Sequence, residues 1–121
     1  MILNKNLSFD RIVLTEINMD GLEDMHEYSS KIEFYKYLEY DKFKTIEETK
    51  NYLKKIIKSN KRNNTHYWFI RLKDSFKVIG TFCLVNIDES RKSVEIGYGL
   101  SPDYWGNGYF NETLFGILKY L

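Results

Sequence analysis

Cysteine is nearly absent from this chain. Cys83 stands alone, so no disulfide can close within it. Long apolar runs are absent too, and none approaches the length that crosses a bilayer. The first residues, MILNKNLSFDRIVL, contain no apolar stretch ending at a small-residue cleavage site, so no secretory signal is read and Met1 is taken as the native start. An excess of either charge is missing as well: 18 basic and 17 acidic residues leave a formal net charge of +1. No global field therefore favours nucleic acid or an anionic membrane, and neither is expected as a partner. Nor is there an internal repeat or a linker-like segment. These absences fit a cytoplasmic chain whose 121 residues form one domain, 1–121.

What the sequence does have is one dense stretch, Ser93 to Glu112, SVEIGYGLSPDYWGNGYFNE. Val94, Ile96, Tyr98 and Leu100 alternate with Glu95, Gly97 and Gly99, the period of two that a half-buried strand requires. The single proline, Pro102, stops that strand. Trp105-Gly106-Asn107-Gly108 then turns the chain, and Phe110, Leu114, Phe115, Ile117, Leu118 and Leu121 recur at helical spacing, so a helix is predicted from near Gly108. A glycine turn opening a helix points several backbone N–H groups at one spot, where the helix dipole adds positive potential for an anion. By pattern alone such a turn either binds an anion or merely connects a strand to a helix.

The remaining elements are read in chain order. Arg11 to Ile17 is β-branched and predicts a strand. Asp20 is placed as the cap of a short helix running to about Ser30, and His26 within it, with no second metal-type ligand nearby, is taken as a surface or packed residue. Ile32 to Phe43 mixes aromatics and charges without a period. Its Tyr35, Tyr37 and Tyr40 either line an acceptor pocket or pack at the domain surface. Thr45-Ile46-Glu47-Glu48 is a capping box that opens a helix with an apolar stripe, Tyr52, Leu53, Ile56 and Ile57. The basic run that ends it, Lys54, Lys55, Lys58, Lys61 and Arg62, either contacts an acidic ligand or complements the dipole as a solvated end. Asn63-Asn64 and Asp74-Ser75 mark turns around a strand at His66 to Leu72, and Lys77 to Ile87 forms the next. With Ser93 to Leu100 these make an antiparallel meander. Cys83 lies inside it and is read as a small core hydrophobe, since no paired His accompanies it. The fold class expected is α+β, helices packed on a mostly antiparallel sheet.

The segment Glu95-Ile96-Gly97-Tyr98, then Leu100, Pro102, Tyr104-Trp105-Gly106, Gly108-Tyr109 and Glu112, resembles the acetyl-CoA-binding core of the GNAT N-acetyltransferases. More narrowly, it is similar to the branch that includes the ribosomal-protein N-terminal acetyltransferases. Gly80 to Leu84 also reads like that family's third strand. The family signature is Gln or Arg, two residues, Gly, one residue, then Gly or Ala. Here its frame falls on Trp105, Gly108 and Phe110. Phe110 departs from the pattern, because a benzyl group stands where the family has a small residue and must either turn into the core or narrow the groove.

The resemblance implies a function: transfer of an acetyl group from acetyl-CoA to a primary amine by direct attack within a ternary complex. It implies that backbone groups of Gly97, Tyr98, Gly99 and Leu100 hold the pantetheine arm and polarise the carbonyl, that Gly106, Asn107, Gly108, Tyr109 and Phe110 hold the pyrophosphate, and that Trp105 is also cofactor-binding. No metal is implied. Glu95, the carboxylate on that strand, is the candidate general base; the other reading leaves it facing solvent or paired with a lysine. The acceptor would be a protein N-terminus or a small amine. The family's usual proton donor, a tyrosine, lies on a later helix, and no residue here matches it. Leu121 ends the sequence inside an apolar helical stripe, where the family continues with a strand, a helix and a hairpin. The chain is therefore read as the N-terminal portion of the usual fold, with an exposed sheet edge through which a homodimer would form. The alternative is a non-catalytic module of the same fold that binds CoA or a partner chain without turnover.

Overall fold

The computed structural model describes residues 6–31, 45–62, 65–88 and 90–119. The turn at Asn63-Asn64 and the whole of Ile32 to Phe43, with Tyr35, Tyr37 and Tyr40, lie outside the described residues. Five strands, β1 (Leu7–Ser8), β2 (Ile12–Glu16), β3 (His66–Leu72), β4 (Val78–Asp88) and β5 (Ser93–Leu100), form one sheet in sequence order, each antiparallel to the next. Helices α1 (Leu22–Ser29), α2 (Ile46–Ser59) and α3 (Tyr109–Leu118) flank it. The α+β expectation holds. β1 went unread because two residues are too few to carry a period.

Alternation along the strands divides the core into two layers. On one face Trp68, Ile70, Phe82, Leu84 and Leu100 pack with Ile117 of α3. On the other, Phe69 and Val78 pack with Met25 and Tyr28 of α1 and Leu53 and Ile56 of α2. Each large side chain wholly removed from water here contributes about 1.5–3 kcal/mol. Gly116 lets α3 approach, since a Cβ there would come 2.5 Å from the Phe9 ring.

Local signals explain the helix starts. Thr45 Oγ1 accepts from Glu48 N at 3.3 Å while Glu48 Oε1 accepts from Thr45 N at 3.2 Å, completing the capping box. The cap expected at Asp20 falls instead on Asn18, whose Oδ1 accepts from Asp20 N at 2.9 Å and opens a single 3₁₀ turn, Met19–Gly21, ahead of α1. The carboxamide reaches two residues on, as short polar side chains do in turns.

Candidate functional site

β5 delivers the chain to the site. Its last residue is pinned by Ser101 N donating to Ile79 O at 2.7 Å and by Trp105 Nε1 donating to Leu100 O at 2.8 Å. Between them Pro102–Tyr104 makes one 3₁₀ turn. Gly106 and Gly108 follow with φ of 77° and 79°, the left-handed region that L side chains rarely adopt. A Cβ at Gly106 would stand in open space, so conformation and not crowding favours glycine there. Asn107 Nδ2 donates to Trp105 O at 3.2 Å and braces the turn.

α3 begins without a side-chain cap at Gly108. The first N–H of its hydrogen-bonded ladder belongs to Glu112, which donates to Gly108 O at 3.0 Å. The N–H groups of Tyr109, Phe110 and Asn111 therefore have no acceptor within the helix, and they sit at its positive end. Beside them lies a cavity of about 540 Å³. Tyr98, Gly99, Leu100, Trp105, Gly106, Gly108, Tyr109 and Phe110 all line it, and so do Tyr104 and Asn111, which the sequence did not single out as site residues.

Three expected site residues stand elsewhere. Asn107 supports the turn from behind. Gly97 lies on the opposite sheet face, opposite Cys83 in the register, where a Cβ would come 2.7 Å from the Cys83 sulfur. Glu95 shares that opposite face, paired in register with Val85; it is exposed and has no ion pair among the described residues. Burial pushes the Cys83 thiol above its ordinary range although the Gly97 backbone opposes this, so the sulfur stays a neutral thiol at neutral pH.

Arg11 was read only as the start of a strand, and it buttresses the site. Its Nε donates to Glu112 Oε1 at 2.7 Å, its backbone N to Glu112 Oε2 at 2.7 Å, and its Nη1 to Asn107 O at 2.9 Å. The guanidinium also lies over the Tyr109 ring, 4.3 Å from its centroid. Burial works against the Glu112 charge, yet hydrogen bonds from the Arg11 backbone and guanidinium outweigh it and hold the carboxyl below its ordinary range. The arrangement neutralises the one carboxylate in the first turn of α3. An anion approaching the cavity thus meets N–H groups and glycines with the nearby negative charge already paired.

The model for the acetyltransferase (GNAT) domain matches residues 11–121. The chain belongs to the GNAT acetyltransferase family. An uncharacterized N-acetyltransferase of Bacillus licheniformis, p20, is 24% identical over 96% of this chain, which spans 65% of that relative's length. Among solved structures, the microcin C7 self-immunity acetyltransferase MccE, in complex with acetyl-CoA and AMP, aligns with a TM-score of 0.77 at 22% identity, covering 91% of this chain and 62% of that one. An acetyltransferase from Salmonella typhimurium that modifies the N-terminal serine of ribosomal protein L7/L12 aligns with a TM-score of 0.76 at 17% identity, covering 96% of this chain and 67% of that one. These two structures share its fold.

In this GNAT chain the departure at Phe110 has a visible solution. The benzyl ring leans on β5 and stacks on Tyr98, ring centroids 3.9 Å apart and planes at 28°. It is half-buried against the α3-side core and still lines the cavity, so it both packs and narrows.

Proposed function

We propose that this GNAT domain binds acetyl-CoA in the 540 Å³ cavity and transfers the acetyl group to a primary amine by direct attack within a ternary complex. The observation that carries the reading is the convergence of left-handed Gly106 and Gly108 with three N–H groups of α3 that have no acceptor in the helix, at the rim of that cavity. Such a concave, positively polarised backbone surface fits a pyrophosphate without needing a lysine. When bound, the cofactor supplies an activated acetyl thioester. β5 is an edge strand among the described residues, so alternate residues of Gly97 to Leu100 turn their N–H and C=O groups away from β4. An extended amide-bearing arm can pair with them, and an N–H so placed can polarise a thioester carbonyl. Glu95, on the far face, is read as the base that takes the amine proton, directly or through water. The family match favours this reading over a module without turnover.

The acceptor is read as a protein N-terminus or a small amine, on the motif's similarity to the ribosomal-protein branch. A second copy is read as pairing with the β5 edge, where Ile96 and Tyr98 stand exposed, as Phe115 and Leu118 of α3 also do. The compartment is read as cytoplasmic on the single cysteine; among the described residues no helix is long and apolar enough to cross a membrane.

Calorimetric titration with acetyl-CoA, with solution mass measured on the same sample, tests the reading. Binding is expected, and Gly108→Glu should abolish it by placing a carboxylate and a strained φ at the helix start. Asn111→Asp offers a gentler check, because an acid in the first turn suits the helix while repelling a phosphate. Failure of the wild-type chain to bind would sink the proposal.

A further inference from the structure

A second cavity, about 390 Å³, opens on the other side of the sheet. Its lining is Lys58 and Ser59 at the end of α2, Arg62 and Thr65 in the segment that leads into β3, Tyr67 of β3 and Val85 of β4. Pairing in the sheet fixes where it stands. Tyr67 is opposite Cys83, Cys83 is opposite Gly97, and Val85 is opposite Glu95, so all these positions share the face covered by α1 and α2. The cofactor cavity belongs to the other face, with Tyr98 and Phe110. Glu95 thus stands across one strand spacing from a wall of the second cavity.

Lys58 lies in the last turn of α2, where a cation complements the dipole, while Arg62 lies beyond the helix. Lys61, from the same basic run, is engaged by Glu16 at 3.0 Å. Lys58 and Arg62 have no ion pair among the described residues, and both border the same hollow. Tyr67 adds a phenol, neutral at neutral pH and able to donate a hydrogen bond, whose pKa burial raises further. Two cations with no ion pair among the described residues and a neutral hydroxyl around one concavity suit an oxyanion.

We propose that this cavity is an acceptor subsite for a carboxylate, so that the amine acetylated beside Glu95 is one that carries an acidic group a short reach away. The proposal rests on the acetyl-transfer reading and assigns its substrate class. A carboxylate held by Lys58 and Arg62 would fix the acceptor's far end while its amine lies near Glu95, converting affinity into orientation. The acid can belong to the second or third residue of a protein N-terminus or to a small amino acid.

The test compares two tetrapeptide amides, Ser-Asp-Ala-Ala and Ser-Asn-Ala-Ala, and free aspartate, titrated calorimetrically into the 121-residue chain with and without acetyl-CoA. The acidic peptide should bind about tenfold more tightly than its neutral isostere, with the preference shrinking as salt rises. Lys58→Gln with Arg62→Gln should erase the preference and leave acetyl-CoA binding unchanged. Both side chains belong to exposed residues, so the fold should survive. Lys58→Glu with Arg62→Glu should turn the preference toward a peptide with Lys in the second position. Equal binding of the two peptides, or a preference that outlasts the double Gln variant, overturns the proposal. Tight aspartate binding would assign the subsite to small amino acids, and peptide-only binding to protein N-termini. A chain that selects the acidic peptide but ignores acetyl-CoA would keep the anion subsite and refute the transfer reading beneath it.

Discussion

The guanidinium of Arg11 and the carboxylate of Glu112 meet at 2.7 Å across 101 positions of sequence, joining the entry of β2 to the first turn of α3. Without the Arg11 guanidinium the Glu112 charge would keep only backbone N–H partners and lose its counter-charge beside the N–H groups proposed to hold pyrophosphate. Arg11→Ala should therefore weaken acetyl-CoA binding several-fold, and adding Glu112→Gln should restore much of the loss. Calorimetric titration of the single and double variants decides this; additive losses would mean the pair is only a structural tie. The carboxyl titrates lower in the folded chain than unfolded, so the tie stabilises above about pH 4.3 and its contribution fades as pH falls below that.

The Tyr98–Phe110 stack narrows the groove where the family has a small residue. Phe110→Ala should widen the cavity and tighten acetyl-CoA binding several-fold, at a cost to stability of about 1–3 kcal/mol, because only part of the ring is packed in the core. Affinity and urea midpoint measured on one preparation separate the two effects. Weaker binding in the variant would make the ring a contact of the cofactor and not an obstruction.

Where periodicity and glycine turns carried the signal, the sequence was legible. β3, β4 and β5 fell within a residue or so of their expected spans because alternation is local, and α2 announced itself through the Thr45–Glu48 box. Eight of the ten expected cofactor-binding residues reached one cavity because they lie in a single strand-turn-helix unit. Arg11 was not legible, since nothing local links an exposed arginine to a glutamate 101 residues on. Nor was the second cavity. The basic run signalled charge, but only folding shows that Lys61 is paired with Glu16 while Lys58 and Arg62 border a hollow.

Gly97 and Cys83 share one side-chain site on the α1–α2 face of the sheet. Alanine is ordinarily better than glycine in a strand by roughly 0.5–1 kcal/mol, but here its Cβ would come 2.7 Å from the Cys83 sulfur. Gly97→Ala should destabilise by about 1–3 kcal/mol, and Cys83→Ala in the same chain should recover most of that by removing the sulfur. Denaturant melts of the four combinations form a double-mutant cycle in which the double variant should lose less than the sum of the two single losses. A Gly97→Ala chain as stable as the parent would show that β5 shifts freely at the sheet edge.

His66 supplies the clearest dependence of stability on pH. It is buried at the start of β3, its ring 4.3 Å from that of Trp68. Burial, and then Lys61, push its pKa down to about 4, with Glu16 opposing. An unfolded histidine takes up its proton near pH 6.5. Between these values the unfolded chain holds a proton that the folded chain refuses, so stability must fall as pH drops through the window. It is fully present above about pH 6.5, and the loss sums to on the order of 3 kcal/mol by pH 4. His66→Gln, which cannot titrate, should lose less stability than the parent between pH 7 and pH 5, read as the change in urea midpoint at each pH. Parallel pH profiles for the two chains would mean that His66 finds solvent or a partner when protonated, and that the pH response of the fold comes from other groups.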